Sequence, residues 1–141
     1  MDQESIVYGC IKDVADFTTD STRRQINRKA MMTLPKAEDW PYLSREMFSI
    51  PQIEVGPDNY QTEVMHFGAS YKAVEYEWEQ WMKKFEHLLG QMYWVSAIVH
   101  LETELTGTHT FTWESKKSFH APGDGIHQVH CEWSQENSFA L

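Results

Sequence analysis

The stretch from Val74 to Trp113 constrains this chain more than any other. Its apolar residues Val74, Trp78, Trp81, Phe85, Leu88 and Met92 recur at spacings of 4, 3, 4, 3 and 4. That period lays them along one stripe of a helix. Polar residues fill the positions between: Glu75, Glu79, Gln80, Lys83, Lys84, Glu86 and His87. Glu79 precedes Lys83 by four residues, the favoured orientation for a helix-surface ion pair worth a few tenths of a kcal/mol. Ser70 is the expected N-cap. Gly90 is the expected residue just beyond the helix, where a left-handed conformation suits glycine.

The pattern then switches to a period of two. Tyr93, Val95, Ala97, Val99 and Leu101 alternate with Trp94, Ser96, Ile98, His100 and Glu102, and β-branched residues recur. This predicts a strand. Thr106-Gly107 supplies a reversal, and Thr108 to Glu114 alternates again. With a turn of two or four residues, Glu104 faces His109, Glu102 faces Phe111, and His100 faces Trp113. All six then share a sheet face with Trp94 and Ile98. The opposite face (Tyr93, Val95, Ala97, Val99 and Leu101) meets the helix. A turn of three residues breaks this pairing, because a one-residue slip exchanges the faces.

The rest of the chain supplies elements around this centre. Ser5 to Lys12 is a short apolar run, expected to form a central strand buried on both faces with Cys10 as a small core residue. Asp20-Ser21-Thr22 offers helix N-caps, and Arg23 to Met32 follows as a helix with Ile26, Ala30 and Leu34 on its apolar side. Arg23, Arg24, Arg28 and Lys29 hold four of the 12 basic residues. They form either a solvated helix face or a local anion site. Pro41 keeps Trp40 out of a helix. A strand within Glu46 to Val55 is interrupted by Pro51, Gly56-Pro57-Asp58-Asn59 is a turn, and Thr62 to Phe67 pairs back. Pro122-Gly123-Asp124-Gly125 marks a loop, and Gly125 to Ser134 alternates as a last strand beside the hairpin. Residues 135–141 read as a flexible tail.

These elements predict a single α+β domain over residues 1–141. A mostly antiparallel sheet of five to six strands carries two helices on one face, in the order β-α-β-β-α-β-β-β. The order has a split β-α-β character. The size suffices for a real core, and 41% hydrophobic with 13% aromatic residues excludes general disorder.

Chemistry-bearing motifs are absent. There is no phosphate-binding glycine loop, no dinucleotide fingerprint and no nucleophile elbow. His100, His109, His120, His127 and His130 cluster late, beside Cys131. On a strand, His127 and His130 point to opposite faces, and no tight set of four zinc ligands occurs, so neither metal nor cofactor is expected. Ser96, His100 and Glu102 share a strand face, but neighbours two apart lie about 7 Å from each other, too far for a relay. The sequence points away from an enzyme.

The charge narrows the partners. With 12 Lys plus Arg against 21 Asp plus Glu, the net charge is −9. Such a chain repels nucleic-acid phosphates and suits a basic protein. The acidic start is not that of a signal peptide, and no apolar run approaches the roughly 18 residues of a membrane helix. With Cys10 and Cys131 as its only cysteines, the chain is expected in the cytoplasm with free thiols. The leading expectation is a non-catalytic acidic protein-binding module. Its general character is that of the bacterial immunity-type inhibitors that neutralise a basic toxin or enzyme. The partner surface is expected at Trp94, His100, Glu102, Glu104, His109, Phe111 and Trp113, aromatic anchors within an acidic rim. Two alternatives are a small enzyme or ligand-binding domain, with His100 and Glu102 in a pocket between helix and sheet, and a structural homodimer through the aromatic sheet face.

Overall fold

The centre of the fold is the strand β1 (Glu4–Asp13). A computed structural model of the chain describes residues 3–14, 22–34, 39–49, 63–126 and 129–134. After β1 come α1 (Thr22–Met32), a 3-10 turn (Arg45–Met47), β2 (Phe48–Ser49) and β3 (Glu63–Lys72). A second 3-10 turn (Val74–Glu77) runs into α2 (Trp78–Gly90). The chain ends in β4 (Ser96–Thr103), β5 (Gly107–Glu114) and β6 (Val129–Ser134). The six strands lie in the order β2-β3-β1-β4-β5-β6, and every neighbouring pair is antiparallel. This is the expected α+β architecture. The β1-α1-β2 passage skips over β3, and the β3-α2-β4 passage skips over β1, so the split β-α-β arrangement occurs twice. β5 and β6 extend the sheet beyond it.

Both helices cover the same face. Ala30 and Met31 of α1 join Trp81, Phe85, Leu88 and Leu89 of α2 in one buried cluster with Val7, Ile11, Met65, Phe67, Ala97, Val99 and Leu101. Of the expected helix stripe, Val74, Trp81, Phe85, Leu88 and Met92 are buried and Trp78 is half-buried, but Val74 lies in the leading 3-10 turn and Met92 beyond the end of α2. Gly9 has a packing reason: a side-chain carbon there would stand 1.9 Å from the carbonyl oxygen of Ile98.

Several local expectations are corrected. β1 is central but buried on one face only; Cys10 is half-buried and Lys12 exposed on the other. Ser70 does not cap α2. It sits within β3, where its hydroxyl donates to Glu4 at 2.8 Å, because pairing with β1 carries β3 on to Lys72. The chain turns instead at Ala73, whose φ of 50° is left-handed, and enters the 3-10 turn. Gly90 is the last helical residue and is not left-handed; the Gln91 N–H closes the end on Leu88 O at 3.0 Å. In the Glu46–Val55 stretch, Phe48 and Ser49 form the strand and pair with Phe67 and His66. The residues from Ile50 to Thr62, with the Gly56–Asn59 turn, lie outside the described residues, as do the α1 cap candidates Asp20 and Ser21 and the 135–141 tail. The apolar side of α1 is rotated from the expected one: Arg23, Asn27, Ala30 and Met31 are buried, while Ile26 is partly exposed.

Several polar groups inside the core are matched. The Trp81 indole donates to the Tyr71 hydroxyl at 3.0 Å, and Tyr71 donates to the Tyr42 carbonyl. Trp94 donates to Leu89 O at 2.9 Å, and Trp113 to Glu86 at 3.1 Å. Burial pushes the Tyr71 phenol up from 10.0 to about 12, against the opposing Trp81 hydrogen bond. The folded chain therefore keeps this proton where the unfolded chain has begun to release it. The resulting stabilisation is complete below pH 10 and is lost as pH rises through about 12. Ultraviolet titration should show a tyrosinate step near pH 12 that is missing in Tyr71→Phe. Complete tyrosine ionisation well before that pH would contradict this placement.

Candidate functional site

The turn between β4 and β5 has three residues, Glu104, Leu105 and Thr106, with Thr103 opposite Gly107. Gly107 takes a φ of 84°, which glycine adopts cheaply. This is the slip that exchanges the faces of β5 relative to β4. His100 lies opposite Thr110, Leu101 opposite His109, Val99 opposite Phe111, and Ala97 opposite Trp113. The seven expected surface residues are therefore divided. His100 and Glu102 lie on the face away from the helices. His109, Phe111 and Trp113 lie on the helix side, where Trp113 has no exposed surface. Glu104 is in the turn, with its carboxylate 3.4 Å from the Glu4 nitrogen. Trp94 precedes β4 and is buried, its ring stacked on His120 at 4.6 Å. They do not form one surface.

Neither described helix packs on the opposite face of the sheet, whose residues are mostly half-buried. Along β1 it carries Glu4, Ile6, Tyr8, Cys10 and Lys12. Beside them stand Ser96, Ile98, His100 and Glu102 of β4, then Thr108, Thr110 and Thr112 of β5. A small constellation occupies its centre. The Tyr8 hydroxyl donates to Glu102 at 2.9 Å, and the Tyr8 ring lies 4.9 Å from the His100 ring. His100 Nδ1 is 2.9 Å from the Thr110 hydroxyl. Ile6 is exposed beside them. Tyr8 escaped the sequence reading because Ile6, Tyr8 and Cys10 alternate with Val7, Gly9 and Ile11, leaving apolar residues on both faces of β1.

A His/Glu pocket between helix and sheet does not form, since His100 and Glu102 are on the other side. The helix–sheet interface is filled: Trp81, Phe85, Leu89, Met92, Val99 and Trp113 have no exposed surface. A cleft of about 260 Å³ lies elsewhere, against Trp94, Glu114, Lys117, His120 and Ile126. His120 is structural there. Its Nδ1 and Nε2 each lie 2.9 Å from a backbone carbonyl, of Met92 and Asp124, and so hold the 115–126 loop against the end of α2.

Among the described residues, no group of three or more His, Cys, Asp or Glu side chains is placed to hold a metal ion. His127 lies outside them. His130 and Cys131 point to opposite faces of β6, and Cys10 and Cys131 are both free thiols. No helix among the described residues is long and apolar enough to cross a membrane.

The basic cluster on α1 is answered from within. Arg23 lies buried against Asp13, donating to both carboxylate oxygens. Its guanidinium sits 4.2 Å from the Phe119 ring centre and 4.8 Å from that of Tyr93. Asn27 joins the same seam, donating to Tyr93 O at 2.8 Å and accepting from Tyr93 N–H at 2.7 Å. Arg24 pairs with Glu63 at 2.8 Å, while Arg28 and Lys29 are exposed. Burial holds the Asp13 carboxyl above its usual range, against the pull of Arg23.

No protein-family model, curated protein or solved structure matches this chain. The geometry therefore carries the functional argument.

Removing Arg23 leaves the Asp13 carboxylate buried without its counter-charge. Arg23→Met should cost about 3–5 kcal/mol at neutral pH in urea unfolding, with the deficit shrinking in acid as Asp13 takes up a proton. Asp13→Asn combined with Arg23→Met should recover part of the loss. A single variant as stable as the parent at neutral pH would refute the pair's structural role.

Proposed function

We propose that this chain is a non-catalytic acidic module that binds a basic protein partner through the open face of its sheet. One observation carries the proposal. Both described α-helices stack on one side of the six-stranded sheet. The other side presents His100 and Glu102 with the half-buried Tyr8 at its centre and Ile6 exposed beside them, and neither described helix packs on it. Tyrosine anchors combine a large apolar body with a polar tip, and acidic groups around them steer a cationic partner. The net charge of −9 adds long-range attraction for such a partner and disfavours nucleic acid. It also opposes pairing of two copies across this face, which makes the homodimer the weaker reading.

An inhibitor that caps a basic enzyme or toxin, in the manner of bacterial immunity proteins, fits this character. Its free cysteines suit a reducing compartment such as the cytoplasm. Of the expected surface residues, His100 and Glu102 remain in the proposed contact, joined by Tyr8 and Ile6.

The test is affinity capture from the native cell lysate, at low and high salt, with the parent and with Glu102→Lys combined with Tyr8→Ala. The parent should retain a stoichiometric basic protein at low salt and release it at high salt, and the variant should fail to retain it at either. Equal capture by parent and folded variant would remove the open face from the interaction. A parent that emerges alone under both conditions would reject the binding-module reading.

A further inference from the structure

The 115–126 loop is fastened to the rest of the fold around His120. Two of its ties are made by backbone alone. His120 donates its N–H to Trp94 O at 2.7 Å and accepts the Trp94 N–H at 3.1 Å, and Gly123 N–H reaches Gly90 O at the end of α2 at 3.0 Å. The third tie runs through the His120 ring, which is buried. Its Nδ1 faces Met92 O and its Nε2 faces Asp124 O, each at 2.9 Å.

Both of these partners are carbonyl oxygens, which only accept. A neutral imidazole carries one N–H and one lone pair, so it satisfies one carbonyl and turns its lone pair towards the other. The imidazolium, with two N–H groups, makes both bonds at once. Burial opposes that charge. The surroundings offset it: the ring is stacked on the Trp94 indole, with centroids 4.6 Å apart and planes 18° from parallel, which places a cation over an aromatic face. The charged groups that line the same cleft are Lys116, Lys117 and Asp124 of the loop and Glu114 of β5. The Asp124 carboxyl is held below the usual carboxylate range. The chief cause is the Ala121 N–H, which it accepts at 3.0 Å against the pull of desolvation; the charges of Lys117 and His120 add to it. Asp124 is therefore a fixed anion beside the ring where histidines change charge.

We propose that His120 is a protonation latch on the 115–126 loop. With two ring protons it ties Asp124 to Met92 and closes the loop. With one, it keeps the bond to Met92 O, on a residue with no exposed surface, and releases Asp124 O, which lies nearer the surface and can turn to water. The backbone exchange between His120 and Trp94 uses no ring proton and holds in both forms. Movement is thus confined to residues 121–126, where Gly123 has a φ of 92° and where Asp124, Gly125 and Ile126 form one wall of the 260 Å³ cleft. Lowering the pH closes this wall and raising it loosens the wall.

The test follows the full chain, labelled with 15N, by NMR between about pH 5 and 9, either side of the usual histidine range. In acid both His120 ring nitrogens should carry protons. As the pH rises Nε2 should lose its proton while Nδ1 keeps its own, and the Gly123, Asp124 and Gly125 amides should shift with the same midpoint. The Trp94 amide should move least. His120→Gln, which does not titrate, should abolish the common transition, whereas Asp124→Asn and Glu114→Gln should retain it. A ring with a single proton in acid, or one that keeps both protons throughout, would overturn the proposal. So would loop amides that stay in place while the parent ring changes charge, a reading that does not depend on the variants folding. A transition that survives in His120→Gln would assign it to another group and overturn the latch.

Discussion

The three-residue turn Glu104–Thr106 holds Thr103 opposite Gly107, and every side chain on β5 and β6 takes its face from that pairing. Phe111 and Trp113 are thereby placed under α2, where Trp113 packs on Phe85 at 5.1 Å and its N–H reaches Glu86. Burying a large apolar side chain contributes roughly 1.5–3 kcal/mol. A slip by one residue would exchange these rings for threonines and put two aromatics in water. The register is therefore strongly specified once the helix is in place, and the open face is its complement. The threonines that the register sends outward give His100 a hydroxyl partner and leave the outer surface polar.

Burial of polar groups follows a consistent rule with one exception. Asp13 meets Arg23, Asn27 meets the backbone of Tyr93, Tyr71 lies between Trp81 and Tyr42, and His120 bridges two carbonyls. These groups fix α1, the 39–49 segment and the 115–126 loop around the sheet. A buried pair of this kind specifies geometry more than it adds net stability. Among the described residues, Glu75 Oε1 and Trp78 Nε1 break the rule, buried without a hydrogen-bond partner.

Much of the architecture was legible in the sequence. The 4-3-4-3-4 spacing marked α2, a short apolar run placed β1, and alternation with glycine and proline punctuation placed the hairpin and β6, so the order of the eight described helices and strands emerged. What failed was local. Ser70 resembled a cap, but the pairing of β3 with β1 overrode it. Arg23 looked solvated because no sequence pattern reveals that Asp13 and Tyr93 will face it across the fold. The candidate surface failed for a geometric reason: turn length is only weakly encoded by Thr-Gly, and a single residue of error reverses a face. His100 and Glu102 were correctly read as sharing one face of β4, yet Tyr8, which lies between them, comes from a strand whose two faces both carry apolar residues.

Which face each residue occupies thus decides the whole functional account, and cross-strand proton contacts measure it directly. Nuclear Overhauser effects should connect the backbone of His100 with Thr110 and of Leu101 with His109. Contacts instead joining His100 to Trp113 and Glu102 to Phe111 would restore the aromatics to the outer face. They would contradict the placement of His100 and Glu102 on the face away from the helices, with Phe111 and Trp113 on the other.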